Sequence, residues 1–371
     1  MQNLTKLIFV FVFVSISNAN FYGNNFNAVD NILSAFDIDT SFQTNASLFE
    51  IQNQTISGER WESFVESFEE GYVYIPIVKQ MLSDAGIPQE FLYLAMAESE
   101  FSPKAYSPKK ASGIWQIMPS TGKQLGLRID DFIDERRDPI KSTAAAIKYL
   151  KFLYNITGKW YLAAMAYNCG IGRLQKAIKE AKSDDVWVLM DEDKKYIPLE
   201  TRNYIRMIVS MGIAFSDIGI LKNEEKEYFL NRGVTTTLTS IKIQGGVSLD
   251  SIAKGAGISL EELKKYNRQF KYDFLPFDKD EFDVYLPYEY LLSFKQNFDP
   301  KKIDFNKHFI TYKVAKGDSL YSISRKYGVS IDSIKSANNL KKSFLSINQK
   351  LIIPLADSKY AMISNAVNKF E

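Results

Sequence analysis

The sequence predicts a multidomain chain, a mainly α-helical domain followed by two small α+β modules that each run strand, helix, helix, strand (βααβ). Three observations lead there. At 371 residues the chain exceeds the size at which one hydrophobic core keeps growing, so two or three domains are expected. Apolar residues at helical spacing, broken by short Gly and Pro interruptions, dominate from about residue 60 to 220. Beyond Asn223 an internal repeat begins, in which Gly246 to Ile252 aligns without gaps to Gly317 to Ile323.

Met1 to Lys6 carries one positive charge, Leu7 to Ile16 is apolar, and Ser17, Asn18 and Ala19 supply small residues. That order predicts a signal segment over 1–19, cleaved after Ala19. The apolar run is shorter than the roughly 20 residues that cross a bilayer, and no Cys near the site offers a point for lipid attachment. The mature chain is therefore expected in the periplasm or associated with the cell envelope, not as a lipoprotein. Residues 20–59, rich in Asn, Ser and Phe without a sustained period, read as a loosely ordered leader.

From Trp61 the texture is helical. Phe64, Phe68 and Tyr72 keep a four-residue spacing, and Pro76 suits the first turn of a helix with Ile77, Val78, Met81 and Leu82 on its apolar positions. Gly86 breaks it. Pro88 opens another through Phe91, Leu92, Leu94, Ala95 and Met96, ending at about Glu98 to Phe101. Further helices are predicted over Ser142 to Tyr154, Trp160 to Tyr167, Gly172 to Ala181 and Glu200 to Phe215, which places a helical domain at 60–222 and a linker at 223–234.

The repeat continues in register through Gly257-Ile258-Ser259 with Gly328-Val329-Ser330, and Asn267 with Asn338. Each copy ends in a short apolar run closed by Pro, at Val284 to Pro287 and Leu351 to Pro354. The first module is expected over 235–290, a linker over 291–308, the second module over 309–356 and a tail over 357–371. Two differences stand out in the first copy: Val247 occupies the place of Asp318, and the stretch Arg268 to Asp283 is longer than its counterpart.

Scarce residues narrow the chemistry. The net charge is +2, and there is one His, His308, and one Cys, Cys169. Nearly balanced charge and the absence of a reader motif argue against nucleic acid as a partner. A lone His far from any nucleophile motif argues against Ser-His-Asp and Cys-His systems. The chain lacks the His and Cys needed for a usual zinc site, and no EF-hand spacing is present. No cofactor or metal is expected. Carboxylates remain as the catalytic groups.

Four local signals fall in the helical region. Ala97-Glu98-Ser99-Glu100-Phe101 ends an apolar helix, where partial desolvation would raise the Glu98 pKa toward the value a general acid needs near neutrality. Ser112 to Gly122 forms a turn and a short apolar run around Gln116, whose amide offers both donor and acceptor. Ala166 to Gly172 places Tyr167 and Asn168 before a Gly-rich bend, with Cys169 reading as a small buried hydrophobe. Pro198 to Tyr204 contributes Glu200 and Tyr204.

Together and in this order, the four segments resemble the lytic transglycosylases of the lysozyme-like superfamily, most closely the membrane-bound lytic murein transglycosylase D group, over about Tyr72 to Phe215. The paired repeats resemble LysM glycan-binding modules. The resemblance implies a lysozyme-like catalytic domain with Glu98 as the catalytic acid. Ser107 would orient the sugar N-acetyl group, and Gln116, Met118, Tyr167 and Asn168 would line the cleft. Glu200 and Tyr204 would bound the same cleft. Cys169 departs from the small residue expected at its position.

Two-carboxylate glycosidases need a second acid at a defined distance. Glu100 lies about 200° around a helix from Glu98, so both cannot face one sugar if the helix persists. Asp130, Asp131, Asp134 and Glu135 could supply the second group, although clustered acids on a loop are mostly solvated. The resemblance implies a mechanism without a partner, in which Glu98 acts as acid and then as base and the product carries a 1,6-anhydro ring. The implied partners are peptidoglycan glycan strands, held by both repeats and better by the second, with other cell-wall enzymes as candidates. A lysozyme-like hydrolase and a non-catalytic wall-binding scaffold are the alternatives.

Overall fold

The computed structural model describes residues 26–45, 47, 48, 50, 51, 58–130, 132–216, 238–276, 281–299, 309–338 and 340–354. The expected signal segment, the 223–234 linker and the 357–371 tail lie outside these residues. The chain divides into two compact units. One takes in the chain up to Ser107, Gly113–Gln116 and Thr143–Gly233, and the other takes in Pro108–Ser112, Ile117–Ser142 and the chain from Val234.

The first unit is helical. Its elements are α1 (Phe26–Ala35), α2 (Gly58–Gly71), α3 (Ile75–Asp84) and α4 (Leu92–Ser99). After α5 (Pro119–Gln124), which belongs to the second unit, come α6 (Pro139–Thr157), in the first unit from Thr143, α7 (Trp160–Cys169), α8 (Ile171–Ala181), α9 (Val186–Leu189) and α10 (Leu199–Ser216). Pro76 occupies the first turn of α3 as its spacing predicts, while Pro88 precedes a 3₁₀ turn, Gln89–Phe91, that leads into α4.

Two helices are apolar on all sides. Leu92 to Met96 of α4 and Tyr161 to Ala166 of α7 are buried without interruption, the pattern of helices inside a core rather than on its surface. Around them Phe68 packs on Phe215 with ring centroids 4.9 Å apart and on Phe101 at 6.2 Å.

The segment read from sequence as a loosely ordered leader is different in the structure. Ile32, Leu33, Phe36, Ile38 and Phe42 are buried, α1 packs on α10, and Phe36 meets Phe91 at 4.7 Å. Asp37 accepts a hydrogen bond from the Trp160 amide at 2.8 Å, and the Phe36 carbonyl accepts one from the Tyr161 amide at 2.9 Å. Those two amides open α7 and need partners from outside the helix. The leader's apolar residues are split between a short helix, a bend and a 3₁₀ turn (Thr40–Thr44), so no single period reveals them.

In the second unit β1 (Leu238–Gln244), α11 (Leu249–Ala256), α12 (Leu260–Tyr266) and β2 (Glu281–Pro287) form one βααβ module, with β1 and β2 antiparallel and Leu238 opposite Pro287. Helix α13 (Leu291–Asn297) follows and packs on α11, so the stretch assigned to a linker from 291 begins with a helix that buries Phe294 in the module's core. The second module comprises β3 (Phe309–Lys313), α14 (Leu320–Tyr327), α15 (Ile331–Ala337) and β4 (Lys350–Pro354), with Phe309 opposite Pro354.

The matched repeat residues have matched work. Ser248 and Ser319 cap the first helix of each copy by accepting the amides of Ser251 and Ser322. Gly257 and Gly328 end those helices at φ 78° and 64°, in the left-handed region that favours glycine. Asn267 donates to the Leu263 and Tyr285 carbonyls and accepts the Tyr285 amide at 2.9 Å. Asn338 does the same with Ile334 and Ile352. In both copies one asparagine ties the second helix to the returning strand. Asp318, which accepts from the Tyr312 hydroxyl and the Ala315 amide at 2.7 Å each, has no equivalent in the first copy, where Val247 is buried in the core.

Candidate active site

The site in the first unit grows from three helix ends. The buried helix α4 terminates at Glu98-Ser99, the buried helix α7 at Tyr167-Asn168-Cys169, and α10 begins at Leu199. A helix buried along its length delivers its last turn to the edge of the core, where a polar side chain can be desolvated yet reachable.

Glu98 is a part-buried residue whose carboxyl lies among these ends. The Tyr204 hydroxyl donates to its Oε1 at 2.6 Å. Glu200 and Tyr204 are one turn apart, so both fall on the same face of α10. Burial pushes the Glu98 pKa up, the Tyr204 hydrogen bond pulls it down, and the negative charge of Glu200 pushes it up again, to about 7. Its place at the C-terminal, negative end of α4 acts in the same direction as burial. Tyr204 and Tyr167 are themselves driven well above the usual phenol range, first by burial and then by the Glu98 charge, so both remain neutral hydroxyls.

The turn Gly113–Gln116 provides the other wall. The Tyr167 hydroxyl donates to the Trp115 carbonyl at 2.7 Å, and the Ser99 hydroxyl donates to the Ile114 carbonyl at 2.8 Å. Trp115 is fully buried, with its indole N–H donated to Thr143 at 2.8 Å. Gln116 holds φ 45° and turns its amide NH₂ back to the Gly113 carbonyl at 3.0 Å. Asn168 accepts from the Thr201 hydroxyl at 2.7 Å, which joins the end of α7 to the start of α10. Tyr149 of α6 packs on Tyr167 at 5.4 Å.

Of the residues named from sequence, Glu98, Gln116, Tyr167, Asn168, Glu200 and Tyr204 all sit on these three helix ends or the turn. Ser107 lies part-buried in the irregular segment beyond α4. Met118 is 41% exposed, precedes α5, and belongs to the second unit. Cys169 is a free, half-buried thiol, less enclosed than a small core hydrophobe. Its pKa is raised, chiefly by burial.

Sequence reasoning missed Ser99, Trp115, Thr143, Tyr149 and Thr201, whose contacts join segments far apart in the chain. Ser99 and Thr201 stood inside recognised motifs, yet only the fold shows what their hydroxyls hold.

The helix ends at Ser99, within the expected range of Glu98 to Phe101, and Glu100 takes φ 56° as the left-handed cap of α4, so the condition of a persisting helix is not met. The carboxylate whose charge reaches Glu98 is Glu200 instead. The acidic stretch also differs from a solvated loop. Asp134 and Glu135 are buried, Asp134 paired with Arg136 at 2.7 Å and Glu135 with Lys141 at 2.6 Å. Asp130 pairs with Arg128, and Asp131 lies outside the described residues. Asp130, Asp134 and Glu135 belong to the second unit and are engaged in ion pairs. Among the described residues no cluster of three or more His, Cys, Asp or Glu side chains is placed to hold a metal ion.

Comparison with known proteins finds three family matches: a Transglycosylase SLT domain over residues 76–190, a LysM-like domain of the lytic transglycosylase MltD type over 237–302, and a LysM domain over 312–354. Glu98, Gln116, Tyr167 and Asn168 lie inside the first match, whereas Glu200 and Tyr204 lie beyond its end. Membrane-bound lytic murein transglycosylase D of Escherichia coli (strain K12) is 31% identical over 311 residues, covering 79% of this chain and 66% of that protein, so the match spans just under two thirds of the relative's length. Soluble lytic murein transglycosylase of the same organism is 29% identical over 163 residues, 42% of this chain and 24% of that protein. Among solved structures, the 70-kDa soluble lytic transglycosylase of Escherichia coli aligns at 27% identity over 44% of this chain and 27% of that one, with a TM-score of 0.35.

Proposed function

We propose that this chain, which carries a Transglycosylase SLT domain and a LysM-like domain of the MltD type, is a lytic transglycosylase that cleaves the MurNAc-GlcNAc β-1,4 bond of peptidoglycan with Glu98 as acid and then base, leaving 1,6-anhydroMurNAc ends. The observation that carries the reading is a single desolvated carboxyl, held by Tyr204, with a pKa of about 7. A group that must give a proton and take one back works best when its pKa lies near the ambient pH.

In the first step the Glu98 carboxyl gives its proton to the glycosidic oxygen. The bond to C1 breaks, and the GlcNAc side leaves as an alcohol. The substrate's N-acetyl oxygen stabilises the electron-poor C1. In the second step the Glu98 carboxylate takes the proton of the MurNAc 6-hydroxyl, and O6 closes on C1. No water is consumed. An intramolecular nucleophile has a high effective concentration, so the mechanism needs no second carboxylate. Tyr204 steadies the anionic form between the steps. Tyr167 and Ser99 hold the Gly113–Gln116 turn, and Gln116, Asn168 and Ser107 are assigned to substrate contact.

A hydrolytic outcome has one observation in its favour, the Glu200 charge felt at Glu98, which would make Glu200 the base for a water. Mass spectrometry of digested peptidoglycan separates the two readings. Wild type is expected to give anhydromuropeptides and Glu98→Gln at least about a thousandfold less product, the loss expected when an essential acid and base is removed. Reducing ends that have gained water would replace transglycosylation with hydrolysis.

The LysM module at 312–354 would hold glycan strands, raising the local substrate concentration. The second module leaves Tyr321, Phe344 and Ile347 exposed, apolar side chains of the kind against which sugar rings pack. Export by the N-terminal segment would place the enzyme in the envelope, where its substrate and any partner wall enzymes lie.

A further inference from the structure

The long divergent stretch of the first module, Arg268 to Asp283, has a use that glycan binding does not explain. Within the second unit it grips the arm Ile117–Ser142, a piece of the SLT-matched sequence. Ile133 and Phe270 form an isolated antiparallel bridge, closed by the Asp134 amide on the Gln269 carbonyl and the Lys271 amide on the Phe132 carbonyl, each 2.9 Å. The Lys271 ammonium also donates to the Asp130 carbonyl. Phe132 is buried in the module's own core, its ring 5.6 Å from Tyr272 and 6.3 Å from Phe274. The Arg128 guanidinium lies over the Phe282 ring. At the far end of the arm Asp138, 0% exposed, accepts from the Tyr285 hydroxyl at 3.1 Å.

The grip is relayed along the arm. Asp134, fixed to the module by its amide, pairs with Arg136, and Arg136 donates to the Ile117 carbonyl at 3.0 Å and the Lys110 carbonyl at 2.6 Å. Ile117 in turn bridges Ser112 through two 3.2 Å hydrogen bonds. Ser112 and Ile117 are the residues that flank the turn 113–116.

We propose that the first LysM-like module is a fixed clamp on the 117–142 arm, a positioning element for turnover rather than a glycan-binding tether. This rests on the transglycosylase reading above. Phe132 and Tyr285 are its positioning residues. Neither is expected to touch substrate.

The test uses the full chain and soluble peptidoglycan glycan strands, with kcat, KM and amide hydrogen exchange as readouts. Phe132→Ala is expected to speed exchange over 128–138 and to lower kcat about tenfold to a hundredfold, the scale set by small misplacements near a reacting centre. KM should change little, and Phe132→Leu should restore kcat. In wild type, added glycan strands should slow exchange in 309–354 and leave 238–287 unchanged. Glycan protection of 238–287, or faster arm exchange with unchanged kcat, would overturn the clamp. If Phe132→Ala does not fold, Tyr285→Phe is judged on the same readouts. A wild-type chain that releases no anhydro ends refutes the functional reading, and arm exchange in the variants then still decides whether the module holds the arm.

Discussion

Glu98 and Tyr204 stand 106 residues apart in sequence, and in the proposed mechanism their hydrogen bond tunes the pKa of the acid. The hydroxyl favours the ionised carboxylate, while burial and the Glu200 charge favour the protonated form. Removing the hydroxyl leaves the two raising effects unopposed. Tyr204→Phe is therefore expected to move the alkaline limb of kcat/KM upward from about 7 by about one in pH, the scale of one hydrogen bond to a charged group. A pH profile from 5 to 9 checks this, and an unmoved or lowered limb would show that Tyr204 does not hold the anion. The motif around Glu98 was legible because Gly and Pro punctuate its helix. The partner's distance was not, since periodicity reports only which face of a helix a residue occupies.

At the scale of elements, the helices of the first unit follow their sequence signals closely. Those of the leader do not. The apolar residues of 26–45 lack a shared period, and long-range packing supplies their order: Phe36 against Phe91, Asp37 on the first turn of α7. Phe36→Ala is expected to cost about 3–5 kcal/mol of stability, the range for a buried aromatic truncated to leave a cavity. Denaturant unfolding measures it, and a loss below about 1 kcal/mol would mean that the leader is dispensable to the fold. The repeats show the opposite balance. Gly257 and Gly328, Ser248 and Ser319, and Asn267 and Asn338 were paired by sequence because each has a local, position-bound task in capping or closing a βααβ module.

At the scale of the whole molecule, burial holds two carboxyls above their ordinary range among the described residues, Glu98 at about 7 and Asp138 at about 6. A raised carboxyl pKa means that the fold prefers the protonated form. Its stabilising contribution is complete below the unfolded pKa and is lost as pH rises through the folded one. Between pH 5 and 8 this lowers stability, and Glu98→Gln is expected to remove up to about 3 kcal/mol of that decline. Unfolding midpoints of variant and wild type across that range provide the comparison. Parallel curves would place the Glu98 pKa near its ordinary value.

The sequence by itself determined the helical domain and the two βααβ modules, and it carried the motifs from which Glu98 was proposed as the acid. Each of these depends on residues close in the chain, whose spacing and turn chemistry fix local structure without help from elsewhere. Tertiary structure decided the rest. It put the Tyr204 hydroxyl on Glu98 and Glu200 within reach of its charge, ordered the leader on the core, tied Asp130, Asp134 and Glu135 into ion pairs, and joined the first module to an arm of the SLT sequence. All of these bring together residues with no shared period, so only packing into a common core could place them.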